Sequence, residues 1–314
     1  MRGASDTSFI STYSLNRRGF DLLLPRFSRR LQVTPRAMRR GRPQLLPPDG
    51  ALMLVLDFLC SRSRYNVLCR SYGITMATVS RCLRRGMAAL LAVLRHEPLA
   101  VIAWPTFQEQ RQWAAAVSAK SSTGIDGRFG FIDGKNYTVQ RPTDVDLQNA
   151  QYNGWLHATL VTGTLCFGVD GCLIWGKHNF SGSWNDSETS RDFQEKLADP
   201  NLTLPGHGAL ADTAFPVRGC PLGAIMTPLK GKDLDAINNV SIIRYLELRS
   251  ADITSLRQAA EWGMGAVEKP YQRLLERLPF NQAKRAQFLE IVHRLYNFRL
   301  RITGISQIRS FFLA

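Results

Sequence analysis

Asp133, Asp212 and Glu261 are the residues from which chemistry can be built in this chain. Asp133 follows the apolar run Phe129-Gly130-Phe131-Ile132, and Asp212 follows Gly208-Ala209-Leu210-Ala211. Both runs have the length and composition of buried strands, which puts each acid at a strand end. Ser255-Leu256-Arg257-Gln258 reads as a capping box, and the helix it opens carries Glu261. The acids are 79 and 49 residues apart, so only the fold can bring them together. A carboxylate at the end of a buried strand is costly without a counter-charge, and a divalent cation is a suitable one. Three convergent carboxylates can hold two Mg²⁺ (or Mn²⁺) ions roughly 4 Å apart, as in in-line displacement at phosphodiesters. One ion would activate the attacking water or 3′-hydroxyl and the other would stabilise the leaving oxygen. Alone, Asp133-Gly134 reads as a turn; the ordered triple is the more specific signal.

The elements that must position these acids are strands first and helices later. Leu156 to Phe167 is rich in Thr, Val and Leu, and Val169-Asp170-Gly171-Cys172 is a hairpin signal with a return strand from Cys172 to Gly176. Gln282 to Leu300 is amphipathic, with Phe288, Ile291, Val292, Leu295 and Tyr296 on one face. Gly263 and Gly265, unfavourable inside a helix, predict that the Glu261 helix packs closely on the sheet. The pattern is that of an α/β or α+β catalytic domain over 125–314.

Upstream the composition changes. The chain of 314 residues carries a formal charge of +15, of which residues 1–125 supply 19 basic against 6 acidic side chains and residues 126–314 only 21 against 19. Eighteen of those first 19 are Arg, whose planar fork suits phosphates and base edges. Residues 1–50 read as a basic arm and linker, with clusters at Arg17-Arg18, Arg29-Arg30 and Arg39-Arg40. Arg40-Gly41-Arg42-Pro43 is similar to the core of an AT-hook, although a basic linker explains it as well. Residues 51–118 form a helical domain with a helix-turn-helix pattern. Leu52, Leu56 and Leu59 mark a first apolar face, Gly73 suits the turn, and Thr75 suits a helix cap. Ala77, Thr78, Arg81 and Arg84 then face outward as a recognition surface, with Thr78, Arg81 and Arg84 the candidate DNA contacts. An ordinary helical hairpin meets the same packing demands.

Other classes are excluded. Uncharged apolar runs such as Ala51 to Leu56 are far short of the roughly 20 residues of a membrane helix, and the first twenty residues hold no apolar signal core. The six Cys form no Cys-x-x-Cys pair, which argues against structural zinc and for reduced thiols.

Several ordered motifs over about 125–300 carry a family resemblance. Phe131-Ile132-Asp133-Gly134-Lys135 with Val139-Gln140-Arg141-Pro142, and Gly182-Ser183-Trp184-Asn185-Asp186-Ser187, are the first two. Leu210-Ala211-Asp212-Thr213-Ala214-Phe215-Pro216, Thr227-Pro228-Leu229 and Arg257-Gln258-Ala259-Ala260-Glu261 follow. Together they resemble the PIF/Harbinger transposases, a DDE superfamily endonuclease domain. The resemblance implies an RNase H-like fold, a central mixed sheet flanked by helices, preceded by a small all-α helix-turn-helix domain. It implies Asp133 and Asp212 on adjacent strands and Glu261 on a following helix, acting as catalytic residues and metal ligands.

Two accessory residues stay open. Arg257, one turn before Glu261, either neutralises the acids or contacts a phosphate, or is an i,i+4 partner of Glu261. Asp186 either orders the active-site loop or a metal-bound water, or caps a turn. The functional reading is a metal-dependent DNA endonuclease or transposase that hydrolyses phosphodiester bonds and can join strands. Its alternative is a domesticated or inactive derivative that binds DNA or protein without cutting. The resemblance adds double-stranded DNA and a Myb-like partner protein as partners, and nuclear residence, with cytoplasmic residence when that partner is absent. It leaves a homo-oligomer open.

Overall fold

The computed structural model describes residues 5–31, 46–215, 223–230, 233–235 and 237–313. Arg39-Arg40, the Arg40–Pro43 run, Pro216 and Cys220 lie outside the described residues. The chain divides into two units. One contains α1 (Asp6–Tyr13), α2 (Arg17–Leu31), α3 (Pro48–Cys60), α4 (Tyr65–Tyr72) and α5 (Met76–Leu94). The other contains α6 (Phe107–Lys120), β1 (Arg128–Thr138), α7 (Val145–Gln151), β2 (Tyr152–Asn153), β3 (Ala158–Gly168) and β4 (Leu173–Ser181). It continues through α8 (Asp186–Thr189), α9 (Arg191–Ala198), β5 (Gly208–Leu210), β6 (Ile225–Met226) and α10 (Val240–Glu268). Then α11 (Gln282–Thr303) belongs to the first unit and α12 (Gln307–Phe312) to the second. This differs from domains bounded at 118 and 125. The reason is burial: Phe288, Leu289, Ile291, Val292 and Leu295 of α11 pack on α5 and α2 rather than on the sheet.

In the helical unit, α3 is buried nearly all round, with Leu52, Leu54, Val55, Leu56 and Leu59 inaccessible. Each such side chain contributes about 1.5–3 kcal/mol relative to exposure. α5 lies close to α3 because Gly86 has no side chain; a β-carbon there would come within 2.5 Å of Val55 Cγ2. α4 ends in Gly73 at φ 62°, a left-handed conformation that favours glycine. Thr75 caps α5, its hydroxyl accepting the Thr78 N–H. Leu68, Ile74, Val79 and Leu83 all return to the core.

In the sheet unit, β1 is central. It pairs antiparallel with β3 and parallel with β5, and β5 pairs parallel with β6. The order is β2-β3-β1-β5-β6, with β4 also on β3. Neighbours on both sides and helices on the faces explain why Phe129–Ile132 is a continuous buried run rather than an alternating one. The β3–β4 hairpin turns at Gly171, φ 85°, and Asp170 accepts the Cys172 N–H at 2.9 Å. β4 runs on to Ser181, past the expected Gly176.

Two expected boundaries are wrong. β1 does not stop at Asp133-Gly134: it runs to Thr138, because every residue from Gly130 onward has a β3 partner. α10 does not open at Ser255 but at Val240. The Ser-x-x-Gln pattern lies mid-helix, while Ile253, Leu256, Ala259, Ala260, Met264 and Val267 supply the continuous buried face. Gly263 docks α10 on β3, as the glycine predicts: a β-carbon would lie 2.6 Å from the Phe167 ring. Phe312 of α12 stacks on Phe131 at 5.0 Å.

Asp252 fastens α10 to the segment entering β1. It accepts from Ser121 Oγ at 2.7 Å, Thr123 N at 3.0 Å and Thr123 Oγ1 at 2.7 Å. Despite burial, these donors hold its pKa below the usual 3.8. Asp252→Ala should therefore cost about 1–3 kcal/mol at neutral pH, by loss of the bonds and desertion of buried donors. A depressed carboxyl contributes above its unfolded pKa and loses that contribution as pH falls through the folded value. The wild-type advantage in thermal melts should thus shrink below about pH 4; equal melting at pH 7 would contradict this role. No helix among the described residues is long and apolar enough to cross a membrane. Cys60, Cys69, Cys82, Cys166 and Cys172 are free thiols.

Candidate active site

β1 is buried from Arg128 to Ile132, and Asp133 is the first residue at which it emerges. Parallel pairing runs as far as Phe131 with Leu210; Asp133 and Asp212 each lie two residues beyond it, and the Asp212 charge acts on Asp133. Each acid is braced locally. Asp133 accepts the Gly134 N–H at 2.8 Å, and Asp212 accepts the Ala214 N–H at 2.9 Å.

A third acid joins them from an element remote in sequence. The carboxylate of Asp186, first residue of α8, lies over Gly134; a β-carbon on Gly134 would stand 2.5 Å from Asp186 Oδ1. Burial pushes the Asp133 carboxyl up to about 6, and the charges of Asp212 and Asp186 push the same way. The Gly134 N–H and the Arg257 guanidinium oppose this without prevailing. Burial, then the Asp212 charge, raises Asp186 as well. Carboxylates sharing one partly buried place without enough positive charge behave in this way.

Glu261 is on the expected helix but turned to a different partner. Its carboxylate lies 3.3 Å from Arg257 Nη2, one turn earlier on α10, and it is 56% exposed. Arg257 is the i,i+4 partner of Glu261, and its charge also acts on Asp133. Among the described residues no three His, Cys, Asp or Glu side chains are grouped so as to hold a single metal ion. The structure sets Asp186 over Gly134, next to Asp133; the charges of Asp212 and Arg257 act on Asp133, and Glu261 pairs with Arg257. Asp186 is the accessory acid named in the sequence motif, and Gly134, with no side chain, leaves the room it occupies. Lys135 is half-buried, its ammonium 6.0 Å from the Tyr137 ring centre.

On α5, in the other unit, Ala77, Arg81 and Arg84 are exposed, but Thr78 is not. Thr78 is 8% exposed. Its hydroxyl lies 3.0 Å from that of Thr75 and accepts from Arg81 Nη2 at 3.3 Å. The cap that starts the helix turns Thr78 inward, so the outward surface is that of Ala77, Arg81 and Arg84.

The sheet unit is a mixed sheet flanked by helices, and it is compatible with the family that the comparison finds. The chain belongs to the DDE superfamily endonucleases, whose family model matches residues 132–297. It is 25% identical over 232 residues to the Xenopus laevis protein named "Putative nuclease HARBI1", covering 72% of this chain. The aligned chain spans about 60% of the length of that relative. No solved structure matches the chain.

Proposed function

We propose that this chain is a divalent-metal-dependent DNA endonuclease or transposase whose catalytic acids are Asp133, Asp212 and Glu261. The observation that carries the reading is a buried Asp133 at the emerging end of the covered part of β1, with the charges of Asp212 and Asp186 acting on it. Hard carboxylate oxygens so placed fit Mg²⁺ or Mn²⁺. Asp133 and Asp212 would hold the first ion and Glu261 would complete a two-ion set. The ions supply activation of the attacking water and stabilisation of the leaving oxygen. The chain's own residues do the rest. β1 carries Asp133 and the segment just past β5 carries Asp212, while Arg257 holds Glu261 on α10 and limits the repulsion at Asp133. The strand order, an antiparallel β1/β3/β4 set followed by parallel β5 and β6, supports the RNase H-like reading.

The DNA would be held largely by the helix-turn-helix formed by α4 and α5. Support comes from the left-handed Gly73 turn, the Thr75 cap and the exposed Arg81 and Arg84. Arg81→Ala should weaken duplex binding and lower the slope of log affinity against log salt by about 1, the mark of a lost phosphate contact. Unchanged affinity and slope would remove α5 from the interface. Partnership with double-stranded DNA and a Myb-like protein, self-association and nuclear residence belong to the same proposal.

The purified chain with Mg²⁺ or Mn²⁺ should nick duplex DNA, and chelation should stop it. Binding without cleavage, even of the ends of its cognate element, would favour a derivative that binds DNA or protein without cutting. The Glu261–Arg257 pairing is the observation on that side.

A further inference from the structure

Nearly every residue of the Gly182–Asp186 segment has a visible structural task, and Trp184 is the exception. Gly182 gives close approach, since a β-carbon there would meet Gln151 O at 2.7 Å. Asn153 Nδ2 donates to Gly182 O at 2.8 Å, and Ser183 Oγ donates to Ala150 O at 3.0 Å. The Trp184 N–H donates to Ser181 O at 3.0 Å, and the Asn185 side chain caps α8 by accepting the Glu188 N–H at 3.0 Å. Asp186 then reaches over Gly134 beside Asp133. The backbone of Trp184 is thus pinned before and after it.

The Trp184 side chain stacks on Phe180 of β4, ring centres 5.0 Å apart and planes 13° from parallel. Even so, Trp184 is 45% exposed. Burying an indole is favourable, so a chain that only needed to close this turn would bury more of it. Instead the indole is backed by a second ring, held on a fixed backbone and left nearly half exposed. It lies two residues from Asp186, no more than about 7.6 Å along the chain.

We infer that Trp184 is a stacking platform for an unpaired nucleobase of the DNA strand being cut, next to the phosphate presented to Asp133 and Asp212. The chemistry is sequence-tolerant, because every base has a π-face. Preorganisation by Phe180 and the pinned turn means little side-chain freedom is lost on binding. Trp184 is a positioning residue: it holds the strand and does not touch the reacting atoms. The inference rests on the DNA endonuclease reading above.

The test uses the full chain and two fluorescent single-stranded oligonucleotides of equal length, oligothymidylate and its counterpart with abasic sites throughout. The phosphates are the same in both, so their affinity ratio reports base contacts. Wild type should prefer the base-bearing strand, and Trp184→Ala should cut its affinity for that strand about 5- to 150-fold, the cost of one base–aromatic stack. Affinity for the abasic strand should be unchanged. Trp184→Phe should restore most of the preference, which a merely structural loss would not explain. If wild type binds both strands equally, or if a folded Trp184→Ala keeps the wild-type ratio, the platform is overturned. If Trp184→Ala does not fold, the wild-type ratio and the Phe variant decide. Metal-dependent cleavage by wild type is scored in parallel. Its absence counts against the endonuclease reading, whereas cleavage with an unchanged ratio removes only the role of Trp184.

Discussion

Asp133→Asn should make the metal-free protein more stable and abolish its metal-dependent cleavage of DNA, two effects of opposite sign from one substitution. The stability half follows from the carboxyl raised to about 6 by burial and by Asp212 and Asp186. The folded chain holds that proton more tightly than the unfolded chain, whose Asp releases it near 3.8. Wild-type stability therefore falls as pH rises from about 4 to 6, and the full penalty remains above that. Two pKa units correspond to at most about 3 kcal/mol, less after solvent screening, so a gain of about 1–3 kcal/mol is expected for Asn at pH 7.5. The gain should vanish near pH 3.5. Asn also keeps an oxygen to accept the Gly134 N–H, so that local bond is kept. Mg²⁺ should raise the melting temperature of wild type but not of the variant, since a ligand that binds only the folded state stabilises it in proportion to log concentration. The activity half is larger, on the order of 10³-fold or more, because metal stabilisation of the developing charge is worth several kcal/mol. A variant that melts no higher than wild type at pH 7.5 would mean the cluster is not repulsive.

Gly263→Ala separates packing from helix propensity by the sign of its effect. In an open helix position Ala is favoured over Gly by about 1 kcal/mol. Here its β-carbon would fall 2.6–2.8 Å from carbons of the Phe167 ring. Phe167 is fully buried and is paired with Phe131 on one side and Leu173 on the other, so the ring has nowhere to withdraw. Overpacking of this kind costs about 1–3 kcal/mol and moves backbone. α10 is the element that would move, and it carries Arg257 and Glu261. Lower thermal stability together with reduced cleavage is expected. A melting temperature above wild type would mean that α10 is not docked on β3 through this glycine.

These expectations also mark where the sequence was legible. Phe129–Ile132 and Gly208–Leu210 read correctly as strands because central strands covered on both faces are continuously apolar. Asp170-Gly171, Gly73 and Thr75 were legible because turn and cap chemistry is local. Asp133-Gly134 misled because an Asp-Gly pair signals a turn, and only pairing with β3 keeps the strand going to Thr138. Ser255 misled because a capping pattern on the exposed side of a long helix is indistinguishable from a true start. Thr78 looked outward by helical spacing, but bonding to Thr75 drew it in. The assignment of α11 to the helical unit, and the reach of Asp186 to Gly134, depend on contacts between residues far apart in sequence. No local pattern encodes them.

The central claim is that Asp133 and Asp212 belong to a metal-dependent nuclease centre. It is tested most directly by incubating supercoiled duplex DNA with the purified chain over a range of Mg²⁺ and Mn²⁺ concentrations, beside Asp212→Asn. The prediction is nicking by wild type that rises with metal, ends with chelator and is absent from the variant. Nicking that survives Asp212→Asn or chelation, or no nicking by wild type with either metal, would contradict it.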